Sequence, residues 1–139
     1  MEKILVSACL LGINCKYNGK NNKNNKVIEY IKDKYVIPIC PEDFGGLSTP
    51  RIPSEINNNK VINKDGINVT DNFNNGAYKV LEIAKSLNIK KAILKQKSPS
   101  CGCGKIYDGT FKNNIINGDG ITTKLLKENN IEVITEEDL

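Results

Sequence analysis

An open α/β sheet with mainly parallel strands is the fold class this chain predicts, and three observations carry it. Short apolar runs at Lys3 to Ala8, Val36 to Ile39 and Lys91 to Lys95 read as buried parallel strands, nearly continuous in hydrophobicity because both faces are covered. Segments with helical apolar spacing lie between them, and such alternation favours right-handed crossovers within one sheet. Each run also leads into a loop that carries a cysteine, and in open α/β sheets ligands gather beyond the strand carboxyl ends.

In order along the chain, the first strand leads into a loop from Gly12 to Asn25. A short helix over Lys26 to Lys34 follows, where Val27, Ile28 and Ile31 recur at helical spacing. Strand two covers Tyr35 to Ile39. The stretch from Pro41 to Asn59 carries Gly45-Gly46, Pro50 and Pro53 and is too long and too punctuated for a plain connection, so it reads as site-forming. Val61-Ile62 and Ile67-Asn68-Val69 flank Lys64-Asp65-Gly66 and predict a small hairpin over the sheet. A longer helix runs from Thr70 to Leu87, capped by Thr70 or Asp71, with Phe73, Ala77, Val80, Leu81, Ala84 and Leu87 on one apolar face. That stripe is core packing. Strand three, Lys91 to Lys95, delivers a loop from Gln96 to Gly109. After Gly118-Asp119-Gly120 a last helix is carried by Leu125 and Leu126, and Ile131 to Thr135 forms the final strand. Glu136 to Leu139 is read as a solvated tail. The sum is a single-domain Rossmann-like architecture: an open, mainly parallel sheet, helices on both faces and long site-forming loops at one end.

With 139 residues the chain is expected to be one domain, residues 1–139, large enough to bury about two-thirds of its unfolded surface around one core. The formal charge of +4 comes from lysines spread evenly along the sequence, which argues against a nucleic-acid groove, so no nucleic-acid polymer is expected as a partner. No apolar run reaches transmembrane length. The one near the start, Ile4 to Leu11, is short, interrupted by Ser7 and preceded by Glu2 and Lys3, unlike a signal peptide. The expectation is a cytoplasmic protein with no membrane partner. In a reducing cytoplasm five cysteines, an odd number, read as thiols or metal ligands rather than disulfides. Histidine is absent, which leaves sulfur and oxygen as metal ligands and removes the commonest general base. Asparagine runs such as Asn57-Asn58-Asn59 mark loops and helix ends, because Asn tolerates left-handed backbone.

Cys9 sits in Ser7-Ala8-Cys9-Leu10-Leu11-Gly12, Cys40 in Cys40-Pro41-Glu42-Asp43, and Cys101 in Ser98-Pro99-Ser100-Cys101-Gly102. Each follows a predicted strand and is flanked by Gly, Pro or Ser, so the three are expected to share one site. Cys15 reads as inert core. A closed zinc site needs four ligands and would recruit Cys9, Cys40, Cys101 and Cys103, yet paired C-x-x-C spacings are missing. The short Cys101-Gly102-Cys103 can also point its thiols to opposite sides. A [4Fe-4S] cube suits three thiolates on three loops better, since its irons stand at separate corners and the fourth is left open. Glu42, two residues after Cys40, is placed for general acid or base work, the ordinary alternative being a solvated or turn-capping carboxylate. The hydroxyls of Ser98 and Ser100 can bond a thiolate, a sulfide or substrate. Lys97 and Arg51 are the best-placed cations for an anionic substrate.

At these residues the chain resembles a bacterial and archaeal family long catalogued as a domain of unknown function, whose characterised members are thiouracil desulfidases. The resemblance spans nearly the whole chain. Beyond the three cysteine segments it rests on Lys16-Tyr17-Asn18-Gly19, Gly45-Gly46-Leu47, Thr49-Pro50-Arg51 and Ile106-Tyr107-Asp108-Gly109, in the expected order. It implies a [4Fe-4S] cluster held by Cys9, Cys40 and Cys101, with one iron open to take sulfur from a thiolated base and Cys103 a near neighbour. Oxygen destroys exposed clusters of this kind, so aerobically purified protein is expected to lose it. Asn18 stands where the family often has Asp, and Cys103 where other residues are common.

The function expected is hydrolytic, non-redox desulfuration of a small thiolated pyrimidine or its nucleotide, 2-thiouracil or 4-thiouridine monophosphate in type, with release of sulfide. Glu42 moves the proton, Ser98 positions water or substrate, and Ser100, Lys97 and Arg51 bind substrate. Two competing readings stand beside it: a non-catalytic metal-thiolate or redox-sensing protein that uses Cys103 as fourth ligand, and a nucleotide-binding module without chemistry.

Overall fold

Ile4, Leu5 and Val6 are fully buried in succession, which a strand allows only when both its faces are covered. The computed structural model describes residues 1–139 and shows how that cover is built. The chain opens with β1 (Lys3–Ser7), a 3-10 turn (Ala8–Leu11), α1 (Asn25–Tyr30), β2 (Tyr35–Ile39) and α2 (Pro41–Phe44). A hairpin of β3 (Ser54–Asn57) and β4 (Lys60–Asn63) precedes α3 (Thr70–Ser86) and β5 (Lys91–Leu94). Then come β6 (Cys103–Tyr107), β7 (Ile115–Asp119), α4 (Ile121–Glu128), β8 (Glu132–Thr135) and a closing 3-10 turn (Glu136–Asp138).

Four strands form the central sheet in the order β2-β1-β5-β8, all parallel, with Leu5 opposite Ile37 and Ala92, and Ile93 opposite Ile134. The two-residue period of a strand sorts the core. Leu5, Ala92, Leu94 and Val133 pack under Val80, Leu81, Ala84 and Leu126 of α3 and α4, while Ile4, Val6 and Ile93 pack against Leu10 of the first 3-10 turn and Val27 of α1 on the opposite face. The chain passes from β1 to β2 on one side and then crosses back to β5 on the other side of β1, and this reversal opens a crevice at the carboxyl edge.

The α/β class, the parallel strands and the helices on both faces are therefore as expected. Four local expectations are corrected. Val61-Ile62 pairs backwards with β3 across Asn58-Asn59, both left-handed (φ 51° and 63°) as the commonest hairpin turn requires. The Lys64-Asp65-Gly66 turn closes only a single bridge between Ile62 and Asn68. Thr70 does not cap α3. Val69 holds that position, and Thr70 Oγ1 instead accepts from the N–H of Val61 at 2.9 Å, tying β4 to the helix start. The loop after β5 contains β6, which pairs antiparallel with β7. Finally, the chain end is packed rather than solvated: Leu139 sits against the α1-side core, and Glu136 pairs with Lys95 at 2.8 Å and accepts from the N–H of Gln96 at 2.7 Å.

Candidate active site at the strand carboxyl ends

β1 ends at Ser7 and the turn after it carries Cys9; β2 ends at Ile39 and Cys40 is the N-cap of α2; β5 ends at Leu94, followed by the loop with Cys101. Because these strands are parallel neighbours, the three loops open at one edge, and Cys9, Cys40 and Cys101 line a single cavity of about 410 Å³. That volume falls in the range of small-molecule sites, about 300–1,000 Å³. Cys15 lines it too. After Gly12 (φ 95°) ends the 3-10 turn, the chain folds back so that the Cys40 thiol lies 3.8 Å from the Cys15 carbonyl, and the expectation of inert core at Cys15 is corrected. Cys103 is not on the cavity. Its thiol points the other way, at 3.7 Å from the Val133 carbonyl, half-buried against the core under α3 and α4. The expectation that it neighbours the site is also corrected.

The thiols differ sharply in electrostatics. A hydrogen bond from Cys15 holds Cys40 down at about 7, helped by the Arg51 charge and opposed by burial. The same bond pushes Cys15 up. Burial pushes Cys101 up to about 12, despite a hydrogen bond from Ser7 (3.5 Å) and the Ser100 hydroxyl 3.6 Å away, both of which favour its thiolate. Cys9 is raised as well, again mainly by burial, with the Asn22 side chain working against that effect. Each charge is felt by its neighbours: Cys40 raises Cys9, and Cys9 raises Cys101. Negative charge placed on all of these sulfurs calls for a cation among them.

Glu42 is fixed from below by backbone contact. A Cβ on Gly76 of α3 would run into the Pro41 carbonyl, and one on Gly45 would run into the Asn72 carbonyl, so two glycines let α2 lie directly on α3. Asn72 Nδ2 adds a bond to the Gly45 carbonyl at 2.9 Å. Thus placed, Glu42 accepts from Arg51 Nε through Oε1 and from Ser100 Oγ through Oε2, both at 2.9 Å. Ser98 Oγ accepts from the N–H groups of Ser100 (3.1 Å) and Cys101 (2.9 Å), so its own proton is directed to Ser100 Oγ, 2.9 Å away. A directed relay results, Ser98 to Ser100 to Glu42.

The serine loop is held by the start of α4. The N–H groups of Ile121 and Thr122 donate to the carbonyls of Pro99 and Ser100, each at 2.9 Å, which satisfies helix-end donors and leaves the loop little freedom. Thr123 Oγ1 bonds the Cys101 carbonyl at 2.8 Å.

Every residue singled out from the sequence, namely Cys9, Cys40, Cys101, Glu42, Ser98, Ser100, Lys97 and Arg51, borders this one cavity. Arg51 nonetheless faces the protein. All five of its N–H donors have protein acceptors: Glu42, the Ser48 carbonyl, Thr49, the Cys15 carbonyl and the Cys40 sulfur. Its side chain is only 7% exposed, so it is a strut for Glu42 and the Cys15–Cys40 junction rather than a free cation for substrate. Lys97 is left-handed (φ 71°) and lies 3.6 Å from Glu137, with a third of its side chain open. Sequence reasoning missed Ser7, which donates to Cys101 and accepts from the Lys95 N–H at 3.0 Å, and Lys95 itself on the cavity wall. Its place in the Ser7-Ala8-Cys9 segment was the signal that pointed to Ser7.

No three Cys, Asp or Glu side chains are grouped closely enough to hold one metal ion, so a mononuclear site, and in particular a four-thiolate site including Cys103, is not assembled. Soft donors that stand apart on three loops yet face one cavity fit a cluster, in which each thiolate has its own iron. Comparison with known proteins points to a cofactor of the same kind. Residues 4–138 match the family described as 2-thiouracil desulfurase. The uncharacterized protein YbbK of Bacillus subtilis (strain 168) is 42% identical over 146 residues, which span 98% of this chain and 97% of that protein. Among solved structures, the [4Fe-4S]-dependent thiouracil desulfidase TudS is 40% identical and superposes with a TM-score of 0.94, over 100% of this chain and 93% of its own. With the family matched over residues 4–138 and the fold over the whole chain, the chain belongs to the 2-thiouracil desulfurase family.

Proposed function

We propose that this protein is a [4Fe-4S]-dependent desulfidase that removes sulfur hydrolytically from a thiolated pyrimidine, releasing sulfide. Family membership and the TudS likeness support the reaction class. The observation that carries the mechanism is the Ser98–Ser100–Glu42 relay on the wall of the cavity that Cys9, Cys40 and Cys101 share. Those three thiolates would hold the cluster. Bound there, a cube with three protein thiolates supplies an iron without a protein ligand, a Lewis acid for the thiocarbonyl sulfur.

The chain's own groups then do the following. Glu42 takes one proton of the water that attacks the thiocarbonyl carbon and returns it to the sulfur, then takes the remaining hydroxyl proton as the C–S bond breaks and passes it to the departing hydrosulfide, so that C=S becomes C=O and hydrogen sulfide leaves. Ser98 and Ser100 position the water through Glu42, the relay ending on Oε2 and holding that carboxylate toward it. Arg51 holds the carboxylate in place from the other side. Lys16, Lys64, Lys95 and Lys97 border the cavity, and this positive lining favours a substrate that carries phosphate, such as 4-thiouridine monophosphate, beside the free base 2-thiouracil.

The test is anaerobic reconstitution with iron and sulfide quantified, followed by measurement of sulfide and uracil or uridine monophosphate formed from the two thiolated compounds. Stoichiometric sulfide and oxygenated product are expected. Fully loaded protein that releases no sulfide from either compound would overturn the proposal.

A further inference from the structure

Seven residues other than glycine have left-handed backbone, and five of them are asparagine, which tolerates it. The other two are Lys97 and Phe111 (φ 59°), and both line the site cavity. A bulky side chain stays in that region only where its surroundings over-determine it. For Phe111 the surroundings are specific. Glu55 on β3, 9% exposed, presents one carboxylate oxygen to two amides of the β6–β7 connection, accepting from Gly109 N at 3.0 Å and from Phe111 N at 3.1 Å. Gly109 (φ 93°) lies so close to β3 that a Cβ there would meet Asn57 Cβ and the Ile56 carbonyl at 2.9 Å. Within the loop, Asp108 accepts from the N–H and hydroxyl of Thr110 (3.0 and 2.6 Å), and its own N–H donates to the Asn114 carbonyl at 2.9 Å. The connection is thus fastened to β3 and to itself, and what it presents to the cavity is an aromatic ring.

We propose that Phe111 is the wall on which the substrate's planar ring stacks, and that Glu55 is the positioning residue that holds it there. The inference rests on the pyrimidine reading of the site. Tyr17 and Tyr107 border the same cavity, but neither is held in strained backbone by a buried carboxylate. A flat heteroaromatic ring gains from an aromatic face wherever its polar edges are engaged elsewhere, and in the proposed reaction the open iron and Glu42 take those edges.

The test uses anaerobically reconstituted protein and uracil, the ring without the reacting sulfur, with affinity read by calorimetry and kcat and KM measured for 2-thiouracil. Phe111→Leu is expected to weaken uracil binding and raise KM by about five- to a hundredfold at unchanged iron content, the range for losing one stacked base. Phe111→Tyr keeps the ring face and binds as wild type. Glu55→Ala weakens binding in the same way and speeds hydrogen exchange at the amides of Gly109 and Phe111, whereas Glu55→Gln retains an acceptor oxygen and restores both. Wild-type affinity in Phe111→Leu overturns the wall, and wild-type affinity in Glu55→Ala overturns the positioning role. The Phe111 variants leave Glu55 in place, so the wall is tested even where Glu55→Ala fails to fold. Wild-type protein that binds uracil but releases no sulfide sinks the desulfidase reading alone; protein that binds neither ring sinks both.

Discussion

Glu42→Gln tests the proposed chemistry most directly, because the consequence of one lost charge can be followed bond by bond. The carboxylate accepts twice, from Arg51 Nε and from Ser100 Oγ, both at 2.9 Å. An amide has one acceptor oxygen. Turned to receive Arg51, it sets its NH2 against Ser100, and the serine proton loses its acceptor; turned to receive Ser100, it meets Arg51 donor against donor. Replacing the charge-assisted bond by a neutral one is expected to cost about 1–2 kcal/mol, a fall in Tm of roughly 3–8 °C for a chain of this size. The larger effect falls on rate. Loss of a general acid-base group slows turnover by about a hundredfold or more. The assay compares iron and acid-labile sulfide content with sulfide release from 2-thiouracil in protein reconstituted without oxygen. Full cluster content with a wild-type rate would refute the proton-carrying role. A loss of activity that merely tracks loss of iron would show instead that Glu42 serves to seat α2 and Cys40.

The remaining predictions follow from the same geometry. Cys9→Ala, Cys40→Ala and Cys101→Ala should each lose the cluster by iron analysis, while Cys103→Ala retains it, its thiol being turned to the Val133 carbonyl; equal iron loss in Cys103→Ala would establish a fourth ligand. Gly76→Ala drives a Cβ into the Pro41 carbonyl and should destabilise the protein by about 2–4 kcal/mol in denaturant unfolding, so a near-zero change would contradict the account of how α2 is seated. In cluster-free protein, iodoacetamide at pH 7 should label Cys40 first, since a thiol held at about 7 carries about fiftyfold more thiolate there than one at 9.0. Between about pH 7 and 9 the fold binds fewer protons at Cys40 than the unfolded chain does, so this thiol's contribution to stability grows with pH and is lost as pH falls through 7. Above 9 Cys101, still protonated in the fold, reverses the trend. Uniform labelling of all the cysteines by mass spectrometry would refute the ordering.

Periodicity and punctuation in the amino-acid sequence determined the framework: β1 and β5 as buried apolar runs, β2 and β8 as strands, α3 as a long amphipathic stripe, and the three cysteine loops at one end; β2, expected to be buried, lies at the sheet edge with only Ile39 fully covered. Those features are legible because each is local. A strand buried on both faces must be apolar throughout, and a helix that covers a sheet must be apolar on one side. The hairpin β6–β7 left no such trace, since among its ten residues only Ile106 is buried, and a mostly exposed ribbon imposes no strong pattern. The chain end looked like a solvated tail because Glu136 is charged; what buries it is Lys95, forty-one residues away. The site divides along the same line. Residue types showed that Cys9, Cys40, Cys101, Glu42 and the two serines were chemically equipped to meet, but not which way Cys15 and Cys103 would face, since a thiol's direction is decided by the neighbours the fold brings to it. Likewise Arg51 read as a free cation until the fold placed five acceptors around it, and Phe111 read as nothing at all until Glu55, fifty-six residues earlier, was seen to hold its backbone against the site.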